Sequence, residues 1–342
     1  MKVLTAQHYF IFCSHTLYDC LTSECCAMNH AFALDERASG YHDDHTAQPF
    51  LRDVLADAVN NRLLFPSATD LRGFSRHQHK NQLQFSVQTA AGAFFIKCQD
   101  LEYLPHFAAE QECLLRMLAT QTMAACAPLA LGSLKRADMQ PMSYLILQHI
   151  PLAVHGDWFS AGQQLAQMHH YTTDKGYGFE RMTWCGETAQ DNRWNANWCD
   201  FFIGQRLQPL LTQLLDRGIR LAHSNRALQR AKEILDNHQP EAALLHGDLW
   251  SGNIGFNPDK HLSYPVLFDP ASYYGDAETD LAMTELFGRF PKKFYDGYES
   301  VNSSADNHEQ RKPVYQLYHL LNHALLFGGS YIPQAESLMA KL

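Results

Sequence analysis

The hydrophobic period of this chain changes near residue 150, and that change limits its architecture more than any other feature. Before it, apolar residues often alternate. In "QLQFSVQTAAGAFFIK", Leu83, Phe85 and Val87 alternate with polar residues, Ala91-Gly92 supplies a turn, and "AFFIK" returns as a second strand. "MSYLILQHI" at 142–150 reads as a further buried strand. Two helical patterns accompany these strands. One places Phe50, Leu51, Val54, Leu55, Ala58 and Val59 on one face; the other, over 105–119, repeats Phe107, Glu110, Leu114, Leu115 and Leu118. Past 150, helical spacing prevails over 160–171, 197–215, 225–238, 278–287 and 313–328, broken by strand-like runs near 246 and 267. The expectation is an α+β chain in two lobes, β-rich and then mostly helical, with a ligand in the cleft between them.

Length and composition agree with that division. The 342 residues suffice for two lobes with a buried core, and 46% hydrophobic with 18% charged residues is a globular balance. A net charge of −9 and no basic run argue against a nucleic-acid partner. The longest uncharged apolar stretch, near 142–154, falls short of the ~20 residues a bilayer span needs, so no membrane association is expected. Nine cysteines without a CxxC pair read as reduced thiols of a cytoplasmic protein. Cys20, Cys25 and Cys26 have no second cluster at a ligand-like distance, so they do not read as a metal site. Residues 1–48 show no sustained period and lack the features of a signal peptide. They read as a loosely ordered extension, or as sequence preceding the true start. Residues 49–148 then form a nucleotide-binding lobe, and 149–342 a catalytic and substrate-binding lobe.

Chemistry concentrates at two strand ends. The run Ala242–Leu245 empties into "HGDLWSGN", and "YPVLF" ends at Asp269. Phosphoryl transfer needs phosphates and Mg²⁺ held in place and an acceptor hydroxyl set in line. A kinase-type site meets this need with a strand Lys, a Glu on the next helix, an Asp-x4-Asn run and a second Asp for metal. The chain supplies these in order: Lys97, Glu110, Asp248, Asn253 and Asp269. Taken singly, each has an ordinary explanation as a solvated charge or a turn residue; the order and the strand-end context join them. No GxxxxGK[ST] occurs, and no GxGxxG opens a helix after a strand. His246 reads as an orienting or packing residue.

"LLHGDLWSGNIGF", "VLFDPASYYGDAETDLAMTELFGRF", "FYDGY" and "YQLYHLLNHALLFGGSY" closely resemble the fructosamine kinase (ketosamine-3-kinase) family, within the aminoglycoside phosphotransferase and choline kinase group. "GETAQDNRW" and "WCDFFIGQRL" are similar to that family's middle segment, so the resemblance runs from about residue 50 to the end. It implies a bilobal, protein-kinase-like fold and ATP-dependent phosphorylation of the 3-hydroxyl of a ketosamine. The phosphorylated adduct then breaks down and frees the amine, a deglycation repair. By the same resemblance Asp248 is the base or orienting group, and Asn253 and Asp269 are Mg²⁺ ligands. Lys97 with Glu110 is the phosphate clamp, and Gln148, His149 and Ile150 are the adenine-binding link. Relatives often carry Glu where this chain has Gln148. They also show a double glycine before the first strand pair, where this chain has Gly73 followed by Arg76, His77, His79 and Lys80.

Trp250 reads as a wall on which a sugar or its amine stacks. Asp276 and Glu278 read as caps of the helix that follows. Trp184, Trp194 and Trp198 read as packing residues. Two other readings remain open at this stage, an aminoglycoside- or choline-type phosphotransferase and a catalytically silent binding protein of the same fold. The sugar, the amine carrier (small molecule or protein) and the oligomeric state are left undetermined.

Overall fold

A computed structural model describes residues 47–77, 82–258, 263–302 and 306–342. Residues 1–46 of the expected extension, together with His79 and Lys80 of the atypical loop, lie outside the described residues.

The first lobe contains α1 (Ala47–Asn60), β1 (Leu71–His77), β2 (Leu83–Thr89), β3 (Gly92–Asp100), α2 (Leu104–Ala119), β4 (Ala124–Ala125), β5 (Pro128–Leu134) and β6 (Met142–Gln148). Five of these strands make an antiparallel sheet in the order β1-β2-β3-β6-β5. Alternation gives the sheet two different faces. Phe85, Val87, Phe94, Ile96, Tyr144 and Ile146 join a core with Phe50, Leu51, Val54, Leu55 and Ala58 of α1. Each such aliphatic or aromatic side chain contributes about 1.5–3 kcal/mol when fully buried. On the opposite face Leu145 and Leu147 belong to the core shared with the second lobe, Phe95 packs against that core, and Lys97 lies in register with Leu145. The strand that carries Lys97 is therefore fixed from both sides.

The second lobe is mostly helical: α3 (Trp158–His169), α4 (Trp198–Phe202), α5 (Gln208–Asp216), α6 (Ser224–Leu235), α7 (Glu278–Leu286), α8 (Lys292–Glu299), α9 (His308–Phe327) and α10 (Tyr331–Lys341). Side-chain caps start two of them: Asp157 accepts from the Ser160 N–H at 3.1 Å, and Asn197 from the Asp200 N–H at 2.9 Å. Among the helices sit the short strands β7 (Thr183–Cys185), β8 (Thr188–Gln190), β9 (Ala243–Leu244), β10 (Ile254–Phe256), β11 (Pro265–Leu267) and β12 (Tyr274–Gly275).

The chain has the expected β-rich first lobe and mostly helical second lobe, with local differences. The helix expected over 197–215 is interrupted by a π-helical turn at Ile203–Leu207. The helix expected from 313 starts earlier, at His308, and takes Pro313 into its interior near the first turn. Helix α1 begins at Ala47, which is itself buried.

Candidate active site

Strand pairing brings the two acidic loops together. β9 pairs antiparallel with β12, and β10 with β11, so the chain crosses the same region twice. Between the crossings, the Leu245 N–H donates to the Tyr273 carbonyl at 3.0 Å, Ala271 N–H to His246 O at 2.9 Å, and Phe268 N–H to Asn253 O at 3.2 Å. Gly247 has φ +85°, and a Cβ there would lie 2.1 Å from the Ala271 carbonyl oxygen. Only glycine lets the loops approach this closely.

Lys97 is buried and bridges two carboxylates, with its Nζ 2.6 Å from Glu110 Oε1 and 2.5 Å from Asp269 Oδ1. Burial pulls the pKa of Lys97 down, but the charges of Asp269 and Glu110 outweigh it and hold the ammonium firmly protonated. Asp269 has φ +54°, a left-handed conformation uncommon for a non-glycine residue and typical of functional sites. Its side chain is 46% exposed, so the carboxylate faces the cleft while paired with the buried cation.

Asp248 sits beside this triangle. Asn253 Nδ2 donates to the Asp248 carbonyl at 2.8 Å and to its Oδ2 at 3.2 Å. Burial first, and then the Asp269 charge, push the Asp248 pKa up to about 7. His246, read as an orienting or packing residue, donates from Nε2 to the Phe268 carbonyl at 3.1 Å and accepts at Nδ1 from the Asp248 N–H at 3.3 Å. Lys97, Glu110, Asp248, Asn253 and Asp269 thus occupy one connected site.

One organising residue escaped the sequence reading. Asp280, buried on α7, accepts from the backbone N–H groups of His246 at 2.7 Å and Gly247 at 2.9 Å, and lies 3.2 Å from His169 Nε2. It holds the Asp248 loop from beneath. Its available signal was weak: it lies three and four residues before the buried Met283 and Thr284, on the inward face of α7. Asp276 and Glu278 are buried and paired. Asp276 accepts from the Glu278 N–H at 3.0 Å and from Tyr315 Oη at 2.5 Å, and Glu278 holds Arg311 through two hydrogen bonds. Asp276 thus meets a helix-start N–H as a cap does, whereas the Glu278 side chain is spent on Arg311 and His308 instead of capping.

The remaining candidates line the edges. Trp250 is 38% exposed, and its ring lies across Gly252, where a Cβ would fall 2.2 Å from the indole. In the link between lobes the Gln148 N–H bonds the Ala127 carbonyl, and the His149 N–H bonds the Ala93 carbonyl. Ile150 follows, packed against the second-lobe core. Phe95, which the sequence reading passed over, shares the cleft face with Lys97 and lies 5.6 Å from the His77 ring. Trp198 is fully buried, Trp184 stacks on His106, and Trp194 lies against Lys175 and Tyr274. A concavity of about 300 Å³ lined by Phe50, Arg76, Leu83, Phe85 and Arg136 shares no residue with the acidic site, so chemistry rather than hollowness locates the centre.

The sequence profile of the fructosamine kinase family matches residues 73–342. The chain belongs to the fructosamine kinase family. It is 40% identical over 258 residues to the probable ketoamine kinase of Vibrio parahaemolyticus, covering 75% of this chain and 88% of that protein. It is 39% identical over 248 residues to a probable ketoamine kinase of Synechocystis, covering 72% and 81%. Among solved structures, a candidate fructosamine-3-kinase from Haemophilus somnus superimposes with a TM-score of 0.72 at 24% identity, covering 79% of this chain and 91% of that one. The aminoglycoside phosphotransferase APH(4)-Ia shares the fold, with a TM-score of 0.56 at 12% identity. The architecture is that of a bilobal protein-kinase-like fold. Among the described residues, no helix is long and apolar enough to cross a membrane.

Proposed function

We propose that this fructosamine kinase family member transfers phosphate from ATP to the 3-hydroxyl of a ketosamine, a sugar joined to an amine as a glycation adduct. The observation that carries the reading is Lys97 bridging Glu110 and Asp269, with Asp248 and Asn253 joined beside it. The donor set fits a magnesium nucleotide. Asp269 presents a carboxylate to the cleft, and Asn253 commits its amide nitrogen to Asp248, which leaves its amide oxygen as a hard ligand. When bound, Mg·ATP supplies the phosphoryl group and the positive charge that offsets its transfer.

The chain's own residues do the rest. Lys97, steadied by Glu110, presents a fixed cation to the phosphates. Asp248, with a pKa near 7, accepts the proton of the acceptor hydroxyl and aims its oxygen. The Ile150 N–H is the backbone donor for the adenine edge, with Phe95 as an apolar cover. Trp250 is the wall for sugar or amine. The phosphorylated adduct breaks down and releases the amine, and a cytoplasmic setting completes the reading, with Cys98, Cys113, Cys126, Cys185 and Cys199 all free. An acidic floor for a polycation gains no support, since Asp276 and Glu278 are occupied within the fold.

The test is ATP consumption with a ribulosamine, a fructosamine, an aminoglycoside and choline, each with and without Mg²⁺, and phosphorus NMR on the product. Magnesium-dependent turnover restricted to a ketosamine, with phosphate on the 3-oxygen, is expected. Turnover on the aminoglycoside or choline without turnover on either ketosamine contradicts it.

A further inference from the structure

Behind the Asp248 carboxylate lie a thiol and an imidazole that the proposed phosphoryl transfer does not use. Cys185 at the end of β7, Asp248, and His319 on α9 place a sulfur, a carboxylate oxygen and an imidazole nitrogen within 4.8 Å of one another. Asn253 holds Oδ2 of Asp248, and Oδ1 is the oxygen turned toward this cluster. It lies 3.9 Å from His319 Nδ1, too far for a hydrogen bond; both atoms are buried, His319 Nδ1 has no hydrogen-bond partner, and the Cys185 thiol is the neighbour of the Asp248 carboxylate on this side. His319 is 3% exposed and Cys185 2%. Asn322 Nδ2 donates to the Cys185 carbonyl at 3.1 Å and to its sulfur at 3.2 Å, which fixes the thiol in place.

We propose that Cys185, Asp248 and His319 form a binding site for a thiophilic divalent cation of the Zn²⁺ type, which takes the Asp248 carboxylate out of use. A buried imidazole nitrogen without a partner and a carboxylate oxygen aimed at one gap, with a thiol beside them, are what one shared cation satisfies. Sulfur, nitrogen and oxygen together suit Zn²⁺ and do not suit Mg²⁺, which keeps to oxygen. Tetrahedral Zn²⁺ sets neighbouring N and O ligands about 3.3 Å apart and a sulfur about 3.6 Å from either, so the N–O pair has to close by about 0.6 Å and the sulfur by at most about 1.2 Å. Binding releases the thiol proton to solvent. The Asp248 side chain is 19% exposed, so the ion enters past it from the cleft. The inhibitory consequence rests on the kinase reading; the binding site does not.

The test uses the full chain with Cys13, Cys20, Cys25 and Cys26 changed to Ser, so that besides Cys185 only the buried thiols of Cys98, Cys113, Cys126 and Cys199 remain. Nucleotide-free protein is titrated with Co²⁺, and sulfur-to-metal charge-transfer absorption is followed, with Zn²⁺ as displacing ion. One equivalent bound with that absorption is expected. Cys185→Ala should abolish the band, and His319→Ala should weaken Co²⁺ binding by about tenfold or more. Circular dichroism checks the fold of each variant, and either folded variant suffices. No band in the parent, a band surviving in Cys185→Ala, or undiminished affinity in His319→Ala overturns the site. In turnover assays Zn²⁺ should compete with the acceptor and not with Mg·ATP. Because the Co²⁺ titration needs no substrate, its failure and a failure of the ketosamine reading are read separately.

Discussion

Asp248 gathers the site's electrostatics into one group. Its ordinary carboxylate value is raised to about 7 by burial and by Asp269, so it is protonated and unable to accept a proton below that pH. The sign follows directly: kcat/KM should fall about tenfold per unit as pH drops below about 7 and level off above it. A pH–rate profile checks this, and a flat line from acid to neutral contradicts it. Asp280 should matter through the backbone. Asp280→Ala leaves the buried N–H groups of His246 and Gly247 without their acceptor, and should cost about 3 kcal/mol or more in urea denaturation. A loss below about 1 kcal/mol would show that the loop holds itself. The difference in legibility between these two acids has a physical cause. Asp248 lies at a fixed offset from Asn253 and follows a strand-like run, so local pattern exposes it. The role of Asp280 comes from contacts 33 and 34 residues away along the chain, which no local pattern encodes.

At the level of elements, the β7–β8 hairpin ties the two lobes at the helix that carries Glu110. Trp184 stacks on His106 with ring centres 4.1 Å apart, Tyr103 Oη donates to Glu187 Oε2 at 2.9 Å, and Arg181 Nε lies 2.6 Å from Glu112 Oε2. The hairpin thereby steadies α2, and through it the clamp on Lys97. Stacked aromatic pairs contribute about 0.5–1.5 kcal/mol beyond area burial, so Trp184→Ala should weaken Mg·ATP binding by about three- to tenfold. Calorimetry measures it, and unchanged affinity would mean that α2 is held by its own lobe. This hairpin was invisible in the sequence because strands of three residues show no period. The long elements α2, α3, β3 and β6 were legible because each carries its apolar pattern, periodic or, in β6, continuous, over seven residues or more.

For the whole molecule, the change of hydrophobic period near 150 was enough to anticipate two lobes. How they meet was not readable, because it depends on Phe95, Leu145 and Leu147 packing onto residues far along the chain. Helix α1 lies before the 73–342 segment matched by the family profile, yet Leu51, Val54 and Leu55 are fully buried in the first lobe's own core. A truncation that keeps α1 and removes 1–46 should therefore leave kcat/KM for a ketosamine within a few-fold, about 1 kcal/mol in transition-state energy. A hundredfold loss in a folded truncation would place the extension in the site.

The central claim divides labour between two acids at successive strand ends. Asp248→Asn and Asp269→Asn, each titrated with Mg·ATP by calorimetry beside single-turnover rates on a ketosamine, test it most directly. Asp248→Asn should lose about 10²–10⁴-fold in rate while binding Mg·ATP nearly as the parent does. Asp269→Asn should lose rate and also bind Mg·ATP markedly more weakly, since it removes a partner of Lys97 and, on the proposed function, a cation ligand. Equal and severe loss of nucleotide binding in both would make Asp248 a metal ligand and contradict the account.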